Sequence, residues 1–235
     1  QNHDSTWFYL PSLRSLVIMA RKQNQRTARR SGAQNTKARQ SVPSATGQIR
    51  IIGGDWRGRK LPVLNADGLR PTSDRVRETL FNWLQFDVPG ARCLDVFAGS
   101  GALGFEALSR GAKQVTLLEL NAANANQLNQ NLVTLQAEHA QVVQTDSLQW
   151  LVNNAENPPA DSYDVIFVDP PFNQGLMQPT VDLLFKSGLL KSGQACLYLE
   201  QEKQLDWPNL PKEWLCVKEK TTSQVKFGLF RLQNA

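Results

Sequence analysis

Asp169-Pro170-Pro171-Phe172 follows directly on Tyr163-Asp164-Val165-Ile166-Phe167-Val168, the most apolar strand-like run in the chain. Two consecutive prolines fix their φ angles and remove two N–H donors, so the Pro170 carbonyl is held in one direction with no neighbouring amide. The corner presents a carboxylate, a fixed carbonyl and an aromatic face. That set suits a planar base with an exocyclic amine, whose lone pair is delocalised into the ring. Asp169 and the Pro170 carbonyl can bind both amine hydrogens, draw the nitrogen toward tetrahedral geometry and aim its lone pair at a methyl donor. Phe172 can stack on the base, a contact worth about 1–3 kcal/mol. The work is orientation and placed charge, with no covalent intermediate, and a base inside a helix must first be extruded. The competing reading is a stiff strand exit that binds nothing.

Some seventy residues upstream, Leu94-Asp95-Val96-Phe97-Ala98-Gly99-Ser100-Gly101-Ala102-Leu103-Gly104 reads as strand, tight turn and helix start. Gly99, Gly101 and Gly104 satisfy G-x-G-x-x-G, and Glu119 ends the next strand at the distance of a ribose-binding acid. Gly99 permits the turn, Gly101 lets a ligand approach the backbone, and Glu119 can accept from ribose hydroxyls. By the letter this is a dinucleotide fingerprint. Asp95 argues otherwise, because a pyrophosphate at the helix start is repelled by a carboxylate beside it. A cofactor with a sulfonium and an α-ammonium is attracted, which favours S-adenosylmethionine over a nicotinamide nucleotide. Asp146, after the Val142-Val143 run, can accept from an adenine amine, cap the helix that starts at Ser147, or do both.

Composition bounds the alternatives. The 235 residues hold three Cys and two His, far apart, too few for a disulfide framework, a zinc site or a Cys-His or Ser-His-Asp nucleophile. Apolar runs fall short of a membrane span, and Trp7–Met19 makes a poor signal peptide. These features predict a soluble cytoplasmic protein, monomeric for want of a spare apolar stripe. The net charge of +5 is uneven: residues 1–48 carry +7, 49–92 carry +3 and 93–235 carry −5. Such loading points to a polyanion met by one face. Residues 1–47 form a basic leader of disordered composition, within which Met19-Ala20-Arg21-Lys22 reads as a start.

The elements that position the motifs follow from pattern. Gln48–Leu61 alternates apolar and basic residues around Gly53-Gly54 and Gly58, predicting a β-hairpin with a wet basic face. On it, Arg50, Trp56, Arg57, Arg59 and Lys60 are candidate RNA contacts, cationic with one stacking surface. Pro71-Thr72-Ser73-Asp74 precedes a helical stripe of Val76, Leu80, Trp83 and Leu84. Short apolar runs at 93–97, 115–118, 142–143, 165–168 and 195–199, with helices at Ala102–Ser109 and Ala122–Leu135, predict a doubly wound parallel sheet. Leu215–Lys220 and Val225–Leu232 close it as an antiparallel pair. The expected division is a leader over 1–47, a hairpin-plus-helix extension over 48–90 and a catalytic domain over 91–235.

With these blocks placed, the chain resembles the bacterial RsmD family over about residues 48–232. The resemblance rests on Arg50–Gly54 with Trp56–Leu61, on Arg70-Pro71-Thr72-Ser73-Asp74-Arg75-Val76-Arg77-Glu78, on Leu94–Gly104 and on Asp169–Phe172. It implies a class I, Rossmann-like methyltransferase fold, a mostly parallel seven-stranded sheet whose last strand is antiparallel, with a small N-terminal β element that helps hold RNA. It implies methyl transfer from S-adenosylmethionine to the N2 amine of a guanine in 16S ribosomal RNA, naked or in a small-subunit assembly particle, without a metal. Asp95, Gly99, Gly101, Glu119 and Asp146 then line the cofactor site, with Phe97, Ala98, Ser100, Leu120 and Ser147 beside them. Thr72 and Arg75 flank the methionine end, Arg75 or Arg77 meets the methionine carboxylate or an RNA phosphate, and Asp169 with Pro170, Pro171 and Phe172 holds the target base. Three alternatives stay open: an adenine-N6 methyltransferase, a non-catalytic RNA-binding assembly factor and a nicotinamide-dependent oxidoreductase.

Overall fold

The computed structural model describes residues 47–64, 73–156, 162–190 and 193–233. The basic leader up to residue 46, the start at Met19 and Thr72 lie outside them. Two strands, β1 (Gly47–Arg50) and β2 (Lys60–Val63), form an antiparallel hairpin with Arg50 opposite Lys60. Helix α1 (Asp74–Trp83) follows, its first turn capped by the Ser73 hydroxyl, which accepts the Val76 N–H at 3.3 Å.

The βαβ rhythm then builds the main sheet. Its strands are β3 (Arg92–Asp95), β4 (Gln114–Glu119), β5 (Ala140–Gln144), β6 (Val165–Val168), β7 (Cys196–Glu202), β8 (Trp214–Thr221) and β9 (Val225–Leu232). The helices are α2 (Ala102–Ser109), α3 (Ala122–Leu135), α4 (Ser147–Glu156) and α5 (Met177–Ser187). Spatial order is β5-β4-β3-β6-β7-β9-β8. β3 pairs in parallel with both β4 and β6, so the strand order reverses at its carboxyl end. Such a switch point opens a crevice between the loops that leave in opposite directions.

Alternation along the strands divides the core into two layers. Val165, Phe167, Cys196 and Tyr198 face one layer with α1, α2, α3 and the hairpin, whereas Ile166, Val168, Leu197 and Leu199 face the other with α4 and α5. Both faces are covered, which is why β6 reads as an unbroken apolar run. The expected closing pair is present, but its later strand lies inside: β9 runs antiparallel between β7 and β8. β8 is left as an exposed edge bearing Lys218 and Lys220, charges that discourage further pairing.

The hairpin shares the first layer. Ile49, Ile51, Leu61 and Val63 are buried there, while Arg50 and Lys60 face solvent. Its loop is latched to α2 by Glu106, a fully buried carboxylate that accepts the Ile52 and Gly53 amides at 2.8 and 2.9 Å and the Arg110 Nε–H at 2.7 Å. Gly54 has φ +75°, and a Cβ there would meet the Ser109 carbonyl oxygen at 1.7 Å, so only glycine lets the loop sit on the end of α2. Arg77, expected to reach cofactor or RNA, belongs to this latch instead. It is 2% exposed, donates to Asp74 at 2.6 Å and to the Arg50 carbonyl at 2.9 Å, and lies 3.7 Å from Glu106. A guanidinium buried on the inner face of α1 offsets the charge of Glu106 and does not line the cavity at the carboxyl ends of the strands.

Replacing Glu106 breaks a buried ion pair and leaves two amides and the Arg110 Nε–H without their acceptor, so Glu106→Ala is expected to cost about 3–5 kcal/mol. The urea unfolding midpoint measures it, and Glu106→Gln, which still offers an acceptor, should lose less.

Candidate active site

The carboxyl ends of β3, β4, β6 and β7 bring Asp95, Glu119, Asp169 and Glu200 to a single cavity of about 1150 Å³. Its wall is completed by the loops after β3 and β4, the start of α4, the first turns of α1 and the β8–β9 turn.

Asp95 is the most confined of the four. It is 1% exposed; Oδ2 accepts the Gly104 N–H at 3.1 Å, and Oδ1 is buried with no hydrogen-bond partner. Burial, then the neighbouring charges of Asp169 and Glu119, raise its pKa from 3.8 to about 7, with the Gly104 amide opposing the rise. A buried oxygen without a donor is costly and is relieved by a cationic ligand. This fits the ammonium of S-adenosylmethionine and opposes a pyrophosphate.

Glu119 joins two loops. Its carboxylate accepts the Gly99 N–H at 2.9 Å and the Asn121 N–H at 2.7 Å, and burial raises its pKa despite them. The Leu120 amide and the Asn124 side chain also donate to it, and it lines the cavity where the hydroxyls of a ribose could be accepted. Asp146 caps α4, accepting the Gln149 N–H at 3.1 Å, and also lines the cavity. The Ser147 hydroxyl donates to the Val96 carbonyl and thereby ties α4 to the loop after β3. Phe97, Ala98, Ser100 and Leu120 line the same wall, Leu120 at an exposed position.

The glycines divide their work differently from the sequence expectation. Gly99 lines the cavity in a positive-φ turn. Gly101, expected to admit a ligand, instead has a packing role at the start of α2: a Cβ would lie 2.4 Å from Phe105 and 2.6 Å from Leu128, at φ +77°. At Gly104 a Cβ would strike Leu117 at 2.7 Å, which makes that residue the close contact between helix and strand.

Asp169, Pro170, Pro171 and Phe172 all line the cavity, with Pro170 buried and Phe172 half-buried against the first core layer. The chain after the corner is pinned where Asn173, at φ +60°, donates its N–H to Glu202 at 2.7 Å. Arg75 reaches the cavity from α1. The hairpin candidates lie outside its lining: Arg57 and Lys60 are exposed, Arg50 pairs with Asp74 at 3.0 Å, and Arg59 donates to the Thr134 carbonyl at 3.2 Å. Trp56, expected as an open stacking surface, is half-buried against the core.

Sequence reasoning passed over Glu200 and the turn from Lys220 to Gln224, which also line the cavity. Glu200 carried a usable signal, an acid at the end of an apolar run like Asp95 and Glu119. The turn carried none, because only the return of β9 beside β7 brings it there. Burial raises the Cys93 thiol pKa and pushes Cys196 up to about 12, so neither is a ready nucleophile. Among the described residues no cluster of three or more potential metal ligands occurs, and no helix is long and apolar enough to cross a membrane.

Comparison with known proteins bears on the family and the fold. A family model described as "Conserved hypothetical protein 95" matches residues 49–231. The chain is 52% identical over 193 residues to the Haemophilus influenzae "Ribosomal RNA small subunit methyltransferase D", covering 81% of this chain and 97% of that protein. The Escherichia coli K12 protein of the same name is 48% identical over 188 residues, with coverages of 80% and 92%. The solved structure of the yhhF protein from Escherichia coli superposes with a TM-score of 0.70 at 48% identity, covering 80% of this chain and 100% of that one.

The raised pKa of Asp95 makes a signed prediction. The folded state holds that proton up to about pH 7, whereas the unfolded chain releases it near pH 4, so this group subtracts stability as pH rises between those values. Asp95→Asn removes the penalty. Its melting temperature, measured without ligand, should exceed that of the parent by a margin that widens from pH 5 to pH 8.

Proposed function

The chain belongs to the RsmD family, and from that premise we propose that it transfers a methyl group from S-adenosylmethionine to the N2 amine of a guanine in small-subunit ribosomal RNA. The observation that carries the reading is the meeting, in one cavity, of the orphaned Asp95 oxygen with the Asp169-Pro170 corner. One receives a cation and the other an NH₂ group.

When bound, the cofactor supplies a methyl group on a positively charged sulfur. Asp95 receives its ammonium, Glu119 accepts the ribose hydroxyls, and Asp146 accepts from the adenine amine. Phe97, Ala98, Ser100 and Leu120 close around it, and Arg75 faces the methionine carboxylate. Across the cavity Asp169 and the Pro170 carbonyl accept the two hydrogens of the target amine. No backbone amide of the described residues donates to that carbonyl, so its lone pairs are available without displacing a bond. Pro171 keeps the corner stiff and Phe172 stacks on the extruded base. As the N–C bond forms and the S–C bond breaks, Asp169 takes up the proton the amine must lose. These groups are set before substrate arrives, so little reorganisation is needed at the moment of reaction.

The exposed cations of the hairpin, Arg57 and Lys60 with Arg50 and Arg59 beside them, give RNA phosphates a place to dock, and Trp56 shapes that surface through its exposed edge. We read the enzyme as a cytoplasmic single chain acting on 16S RNA or on a small-subunit particle. The names of its relatives support ribosomal RNA as the substrate class.

Labelled methyl transfer to small-subunit particles from cells lacking this protein is expected to yield N2-methylguanosine on nucleoside analysis. Label in N6-methyladenosine overturns the base assignment. Asp169→Ala should lower kcat by at least about 100-fold while the Kd for S-adenosylhomocysteine stays within a few-fold.

A further inference from the structure

β6 and β7 run in parallel with Val168 beside Leu199, and one step further along both strands come Asp169 and Glu200. Neighbouring strands lie about 4.8 Å apart, so the two carboxylates leave the sheet side by side. They point to the same face, and both line the cavity. Glu200 is 4% exposed, and its Oε2 accepts the Tyr198 O–H at 2.6 Å. Tyr198 is fully buried, wedged between Phe167 and Phe227 with ring centroids at 6.2 and 6.3 Å. The hydroxyl that orients Glu200 is therefore itself immobile. A buried carboxylate oriented by a fixed hydroxyl presents its oxygens to the cavity in a defined direction.

We propose that Glu200 is a specificity-determining residue that accepts the ring N1–H adjacent to the target amine. This rests on the guanine-N2 reading above and adds how the base is chosen. Guanine carries its C2 amine next to a protonated N1, so its edge offers adjacent donors. Adenine carries its C6 amine next to an N1 lone pair. With Asp169 and the Pro170 carbonyl on the amine, an acceptor on the neighbouring strand meets a donor in guanine and a lone pair in adenine. The first contact is a hydrogen bond; the second leaves two acceptors face to face in a partly desolvated site, a repulsive element that rejects the wrong base. Tyr198 is a positioning residue here, acting through Glu200.

The test uses small-subunit particles reconstituted with 16S RNA carrying either guanine or 2-aminopurine at the mapped target. 2-Aminopurine keeps the C2 amine and replaces N1–H by a lone pair. The parent enzyme should prefer guanine by at least about 100-fold in kcat/KM. Glu200→Ala should narrow that preference to within about tenfold, mainly by slowing guanine, with the Kd for S-adenosylhomocysteine within a few-fold as the control for folding. Equal use of both bases by the parent, or an undiminished preference in Glu200→Ala, overturns the assignment while N2-methylguanosine still stands as product. Label in N6-methyladenosine overturns the underlying reading instead. Should Glu200→Ala lose cofactor binding, Tyr198→Phe decides: a preference reduced threefold or more supports the role, and an unchanged one overturns it.

Discussion

Asp95 sits where the sheet reverses its strand order, sealed from water, with one oxygen held by the Gly104 amide and the other without a hydrogen bond of good geometry, although the Phe97 amide also lowers its pKa. A carboxylate in that position destabilises the empty fold, and the surrounding geometry is arranged around it. The turn at Gly99 brings an amide to Glu119, Glu119 reaches on to Asn121, and Asp169 approaches closely enough to raise the Asp95 pKa further. Three acids in one cleft repel one another, and a cationic ligand turns each repulsion into attraction. Binding energy and the cost of folding are thus lodged in the same groups, as expected where local stability is given up for function.

A second buried acid does the opposite work. Glu106 is fully buried, yet its oxygens are matched by two amides, the Arg110 Nε–H and the nearby Arg77 guanidinium. Because its charge is neutralised inside the protein, no ligand is called for, and the carboxylate serves as a rivet between hairpin and sheet. Asp95 and Glu106 lie eleven residues apart and are equally buried. What separates a binding group from a structural one is the presence or absence of an internal partner.

The row of acids at the strand ends also explains how one cleft serves two ligands. Parallel register sets Asp95 beside Phe167, and Phe167 beside Tyr198. Asp169 and Glu200 therefore stand two residues further along on the same face. Cofactor and base are met by different rungs of one ladder, and the rigidity of β6 and β7, buried on both faces, keeps the rungs aligned.

Much of this was legible in the residues alone. The apolar runs, the helices Ala102–Ser109 and Ala122–Leu135, the glycine turn and the proline corner are local signals, set by backbone sterics and burial period; the structure has both helices at those bounds and the strands within about three residues of the runs. Asp95, Glu119 and Asp169 stand out in a linear reading because the first adjoins the glycine turn, the second follows it at the spacing of a ribose-binding acid and the third opens the proline corner. Arg77 and Gly101 were misread, since neither a basic residue on a helix nor a glycine in a loop reveals whether it faces ligand or core. Arg77 turns inward onto Asp74, the Arg50 carbonyl and Glu106, the last two twenty-seven and twenty-nine residues away. Glu200 stands in the cleft because β7 pairs in parallel with β6, and the Lys220–Gln224 turn because β9 folds back between β7 and β8. Local chemistry is written along the chain; which charges meet is a long-range pairing, and packing alone decides it.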